Sequence, residues 1–148
     1  MMSRSLESML ADADFLRGMG YRDVEVVAKY FQTREVSKGE VIFKQGGPGS
    51  FMLFLCQGKV EVLKEADNQA KVVSVVEEGS VLGEMALIEG ELRSATCKAL
   101  DNGVIATLNH IAFERMQKEN LAVSFKFLMC LARLVSRRLR MTTDKLRK

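Results

Sequence analysis

Between Gly83 and Ala95 the chain reads GEMALIEGELRSA, and these residue types can hold a small anion. Glu84 carries a carboxylate that accepts hydrogen bonds from hydroxyl groups. Arg93 carries a planar, two-pronged guanidinium suited to a phosphate. Ser94 adds a hydroxyl, and Met85, Ala86 and Ala95 add backbone N–H groups beside small or flexible side chains. Gly83 lets the backbone approach a ligand closely. The run Glu84 to Ile88 alternates poorly as a strand and reads as a single helical turn. Its N-terminus would present unpaired N–H groups and partial positive charge. Singly, each residue has an ordinary explanation: a surface arginine, a first-turn acid, a turn glycine, the start of a strand. In this order and within one loop, from Gly79 to Ala99, they are the parts of a cradle for a sugar phosphate.

The elements that must position this loop follow from periodicity. Residues Leu6 to Leu16 and Asp23 to Phe31 have helical spacing and are separated by Gly18-Met19-Gly20. The period then changes to two. Arg34–Val36, Val41–Phe43, Phe51–Cys56, Val60–Lys64, Val72–Val76, Ser94–Ala99 and Val104–Leu108 read as short strands. Turn residues punctuate them: Lys38-Gly39, Gly46-Gly47-Pro48-Gly49, Gln57-Gly58, Asn68, Gly79 and Asn102-Gly103. The Asn102-Gly103 pair predicts a tight hairpin. Asn109 predicts a helix N-cap, with His110 exposed in the first turn. From Leu121 onward, Leu121, Phe125, Leu128, Ala132, Val135, Leu139, Thr142 and Leu146 repeat at 3.5-residue spacing, that of a coiled-coil seam. Phe127, Leu131, Leu134 and Met141 form a second stripe. The expectation is an α+β domain spanning 1–148. Helices fill 1–32, a β-barrel or jelly roll with its phosphate cassette at 79–99 fills 33–108, and helices return over 109–148. The seam predicts a homodimer through the last helix, with burial against the chain's own barrel as the alternative.

Composition narrows the function classes. The chain has 148 residues, 47% hydrophobic and 28% charged, the balance of one soluble domain. Its net charge of +3 does not require a nucleic-acid partner. Arg133, Arg137, Arg138, Arg140, Lys145, Arg147 and Lys148 crowd the C-terminal end and read as a solvated helix face, ahead of a DNA patch. The three cysteines, Cys56, Cys97 and Cys130, are scattered in apolar surroundings and form no CxxC pair, so they read as reduced core residues of a cytoplasmic protein. The N-terminus lacks the apolar stretch of a secretory signal, and no apolar run reaches membrane-spanning length. A single histidine without clustered acids or cysteines argues against a catalytic metal site, and with it against hydrolysis by metal-activated water.

Gly83-Glu84-Met85-Ala86-Leu87 followed by Arg93-Ser94-Ala95-Thr96 resembles the phosphate-binding cassette of cyclic nucleotide-binding domains. Lys38-Gly39-Glu40-Val41-Ile42-Phe43, Gln45-Gly46, Phe51 to Leu55 and Gly58 to Val62 resemble that family's strands and glycine turns. Arg137 to Lys145 is similar to the end of the long helix in its catabolite-activator branch. The resemblance implies a non-catalytic receptor with cAMP as its ligand and cGMP as the second candidate. It implies that Arg93 pairs with the cyclic phosphate, that Glu84 and the backbone at Gly83 hold the ribose 2′-hydroxyl, and that Ala86, Ser94 and Ala95 complete the phosphate cradle. Thr142 and Thr143 match helix residues that meet the adenine, one of them from the partner subunit. Gly47 and Leu82 depart from the family pattern without removing a ligand contact. The catabolite-activator branch continues into a helix-turn-helix beyond the position of Lys148, a DNA-reading module that these 148 residues do not include. The expected partner is an unknown effector protein, with the sensing portion of a catabolite-activator-like transcription regulator and a dimerisation module with a vestigial pocket as the alternatives.

Overall fold

The computed structural model describes residues 4–146, with side chains described as far as Thr143. Seam residue Leu146 and the basic residues Lys145, Arg147 and Lys148 therefore lie outside the described side chains. Helix α1 (Leu6–Asp12) begins at Ser5, whose hydroxyl accepts from Ser8 N, and gives way at Ala13 to a 3-10 turn, Asp14–Leu16. The single helix expected over Leu6–Leu16 is therefore two pieces. Helix α2 (Tyr21–Ala28) follows.

Strands β1 (Gln32–Val36), β8 (Gly103–Asn109), β3 (Phe51–Gln57) and β6 (Val81–Leu82) form one antiparallel sheet in the order β1-β8-β3-β6. Strands β2 (Val41–Phe43), β7 (Thr96–Ala99), β4 (Val60–Ala66) and β5 (Gln69–Val76) form the second, ordered β2-β7-β4-β5. Two antiparallel sheets face to face make the expected jelly-roll sandwich. The Phe51–Cys56 run is apolar at every position because β3 is buried on both faces. Leu53 and Leu55 enter the core between the sheets, with Val36, Ile42, Val60, Cys97 and Ile105. Met52, Phe54 and Cys56 point the other way, into a second core under the helices. All three cysteines are buried free thiols, and burial pushes the Cys97 thiol up to about 12.

Asn102-Gly103 does not close a hairpin. It joins β7 to β8, which belong to different sheets, and the Asn102 side chain accepts from Lys38 N at 2.8 Å. The two-residue hairpin lies at Asp67-Asn68, between β4 and β5, where both residues have positive φ (54° and 64°), the backbone of a type I′ turn.

Helix α4 (His110–Glu119) is capped by Asn109 as expected, its Oδ1 accepting from Ala112 N at 2.7 Å. Helix α5 (Leu121–Leu146) is about 39 Å long at ~1.5 Å per residue. Its two stripes separate. Phe127, Cys130 and Leu131 are buried against α2, the 3-10 turn and α4. Of the other stripe, Leu121, Phe125, Leu128 and Leu139 are exposed on the chain by itself, and Met141 joins them rather than its expected partners. Among the described residues no helix is long and apolar enough to cross a membrane.

Candidate functional site

A short helix, α3 (Glu84–Glu89), interrupts the sandwich where the sequence places it. Gly83 precedes it at φ 77° and Gly90 follows at φ 71°, so both ends turn through a backbone region that glycine adopts without strain. Gly83 is also crowded. A Cβ there would stand 2.3 Å from Arg93 Nη1 and 3.2 Å from the Phe51 carbonyl oxygen. Gly83→Ala is therefore expected to lower stability by roughly 1–3 kcal/mol through backbone strain and to displace the Arg93 guanidinium. Urea unfolding measures the loss; a variant as stable as the parent would contradict the close packing.

Arg93 is held by backbone and by rings. Its N–H donates to Gly47 O at 2.8 Å and its carbonyl accepts from Gly46 N at 2.8 Å, so the Gly46-Gly47 turn fixes the residue in place. The guanidinium carbon lies 4.0 Å from the centre of the Phe43 ring and 4.7 Å from that of Phe51. Only 5% of the residue is exposed. Nη2 donates to the Phe51 carbonyl, while Nε and Nη1 have no hydrogen-bond partner. No carboxylate pairs with Arg93 among the described residues, and burial pulls its pKa below the ordinary arginine value. Buried donors of this kind carry a desolvation penalty that a bound anion would remove.

Glu84, 4% exposed, sits at the start of α3 and forms an ion pair with Arg138 of α5. Arg138 Nη2 also donates to Val81 O at 2.7 Å, which ties α5 to β6. Gly83, Glu84, Met85, Ala86, Arg93, Ser94 and Ala95 line one cavity of about 360 Å³, together with Arg138, two further acids, Glu89 and Glu91, and the apolar side chains of Phe43, Val62, Leu82 and Leu92. Met85 is exposed at its rim, and Ser94 and Ala95 lie in the bend just before β7 rather than in the strand. Seven of the nine residues singled out from the sequence thus meet. Thr142 and Thr143 do not line the cavity of their own chain. Their hydroxyls donate back to Arg138 O and Leu139 O, each at 3.0 Å.

The structure adds Arg138. In the sequence it is one arginine in a basic run, and only its lack of spacing kinship with Arg133, Arg137 and Arg140 on the helix marks it as facing elsewhere. Chemically, the cavity offers a guanidinium for an oxyanion, a carboxylate for a hydroxyl and an apolar wall for a planar group. Among the described residues no group of three or more histidine, cysteine, aspartate or glutamate side chains is placed to hold a metal ion.

The model of the cyclic nucleotide-binding domain family matches residues 33–120, which contain both sheets and the whole of α3. This chain belongs to that family. It is 30% identical over 110 residues to a cAMP-dependent protein kinase regulatory subunit of Debaryomyces hansenii, an alignment covering 74% of this chain and 24% of the relative. A cyclic nucleotide-binding domain from Methylobacillus flagellatus KT superposes with a TM-score of 0.82 at 24% identity, over 93% of this chain and 78% of that one. The Thermus thermophilus catabolite activator protein superposes with a TM-score of 0.80 at 26% identity, over 89% and 61%. The chain spans about a quarter of the length of the kinase regulatory subunits it matches.

Proposed function

We propose that this chain is a non-catalytic receptor domain for a cyclic nucleotide, with cAMP as the ligand, acting in the cytoplasm. The observation that carries this reading is the buried, carboxylate-free Arg93 guanidinium with two unpaired nitrogens, set against a glycine that leaves room for it. In this reading the cyclic phosphate pairs with Arg93 and is surrounded by the backbone of Ala86 and Ala95 and the Ser94 hydroxyl. Glu84 takes the ribose 2′-hydroxyl, which requires Arg138 to share or release the carboxylate it now holds. Arg138 is thereby the link from pocket to helix: a change at Glu84 acts on α5 directly, and a ligand that prefers one position of α5 shifts its population. Thr142 and Thr143 meet the base, one of them across a dimer. Calorimetric titration with cAMP, cGMP and 5′-AMP tests the reading. Saturable binding of cAMP, weaker binding of cGMP and none of 5′-AMP are expected; no binding of either cyclic nucleotide would leave a dimerisation module with a vestigial pocket.

The exposed seam on α5 supports a homodimer formed by packing the same face of two helices. Leu139→Lys, at an exposed seam position, is expected to convert a dimer to a monomer in sedimentation velocity without changing the thermal midpoint of the monomer fold. A parent protein that sediments as a monomer at tens of micromolar would contradict the seam. A second reading, the sensing portion of a catabolite-activator-like regulator, is supported by the likeness to the Thermus thermophilus catabolite activator protein.

A further inference from the structure

A second concave site lies on the far side of α5. The 3-10 turn and the residue after it, Asp14, Phe15 and Arg17, face Arg133, Arg137 and Arg140 across a notch of about 230 Å³. No residue lines both this notch and the cavity of Glu84 and Arg93. The three helix arginines stand at i, i+4 and i+7 and so share one face, where like charges repel. Asp14 is the single carboxylate in the notch among the described residues. It bonds Arg17 at 2.5 Å and Arg137 at 3.2 Å. Arg133 and Arg140 pair with no carboxylate among the described residues. The helix dipole does not explain the clustering, because its effect is confined to the last turn and α5 continues to Leu146, well beyond Arg133.

Among the described residues, the positive charge is bounded toward the start of α5 and on one flank. Lys126, the next basic residue on this face, is taken up by Asp23 at 3.0 Å. Arg138 turns to Glu84 on the other flank. A continuous basic stripe would suit a nucleic-acid backbone; four guanidinium forks gathered around a small notch suit a compact oxyanion. At ~30 Å³ per water, the notch has room for about seven waters, enough for two linked phosphate groups.

We propose that this notch is a binding site for a compact polyphosphate anion, of the diphosphate type, held by Arg133 and Arg140 with Asp14 orienting Arg17 and Arg137. The proposal does not depend on the cyclic-nucleotide reading of the other cavity. The test is calorimetric titration of the full chain with inorganic pyrophosphate and with orthophosphate at constant, near-physiological ionic strength. Pyrophosphate is expected to bind saturably, one per chain, and about tenfold or more tighter than orthophosphate. Arg133→Ala and Arg140→Ala, both exposed, should each weaken it about tenfold or more, as for loss of one charge-assisted fork, with unfolding curves confirming that each variant is folded. Arg93→Met should leave it unchanged. Absence of saturable binding overturns the proposal, as does binding that survives both substitutions. Loss of binding in Arg93→Met would place the anion in the other cavity. Displacement of pyrophosphate by a short DNA duplex that binds more tightly would show an extended polyanion site instead.

Discussion

Arg93→Met should separate binding from stability. The substitution keeps most of the apolar stem between the Phe43 and Phe51 rings and removes the charge. Cyclic nucleotide affinity is expected to fall by ~2–5 kcal/mol, the scale for losing one partner of a buried charge pair, which is roughly 30-fold to several-thousand-fold in Kd. Stability should move in the opposite direction. The chain buries a guanidinium whose Nε and Nη1 find no partner among the described residues, so an apolar side chain of similar volume should raise stability by ~1–3 kcal/mol. Loss of binding together with a loss of stability would mean that Arg93 is a structural residue. Unchanged affinity would remove it from the site.

Phe127→Ala should cost about 3–5 kcal/mol of stability. Phe127 is fully buried on α5, with ring centres 6.4 Å from Phe15, 6.4 Å from Phe31 and 6.0 Å from Phe113. Those rings come from the 3-10 turn, the end of the α2 segment and α4, so one side chain joins three elements to the long helix. At 2–4 °C per kcal/mol for a domain of this size, the thermal midpoint should fall by about 6–20 °C. A loss below about 1 kcal/mol would show that α5 is not docked through this cluster. Because α5 also carries Arg138, the same substitution should loosen the hold on Glu84.

Which features could be read from the chain depended on how local their physics is. The helix at Glu84–Glu89 and the Asn109 cap are settled by neighbouring residues, and both stand where the sequence predicts. Asn102-Gly103 turns the chain without closing a hairpin, because the dipeptide specifies a turn and not the partner of the next strand. The sandwich takes β8 to the opposite sheet, between β1 and β3, where Ile105 joins one core with Val36, Leu53 and Leu55. Strand β6, at Val81–Leu82, is too short to show a period. Arg93 could be named from its motif, but its burial comes from Phe43 and Phe51, on strands far earlier in the chain. Arg138 is not legible from the sequence for the same reason: its partner Glu84 lies 54 residues away, and its neighbours in the chain are arginines of a solvated face.

The most direct test is nuclear magnetic resonance of the Arg93 side chain in the intact protein, followed as cAMP is added. Nε–H and Nη1–H have no acceptor among the described residues. Both signals should move far downfield as they gain the charged phosphate, in step with saturation of the site, and 5′-AMP should leave them in place. If cAMP saturates the protein while the Arg93 signals stay where they were, the anion is held elsewhere and the assignment of this cavity fails.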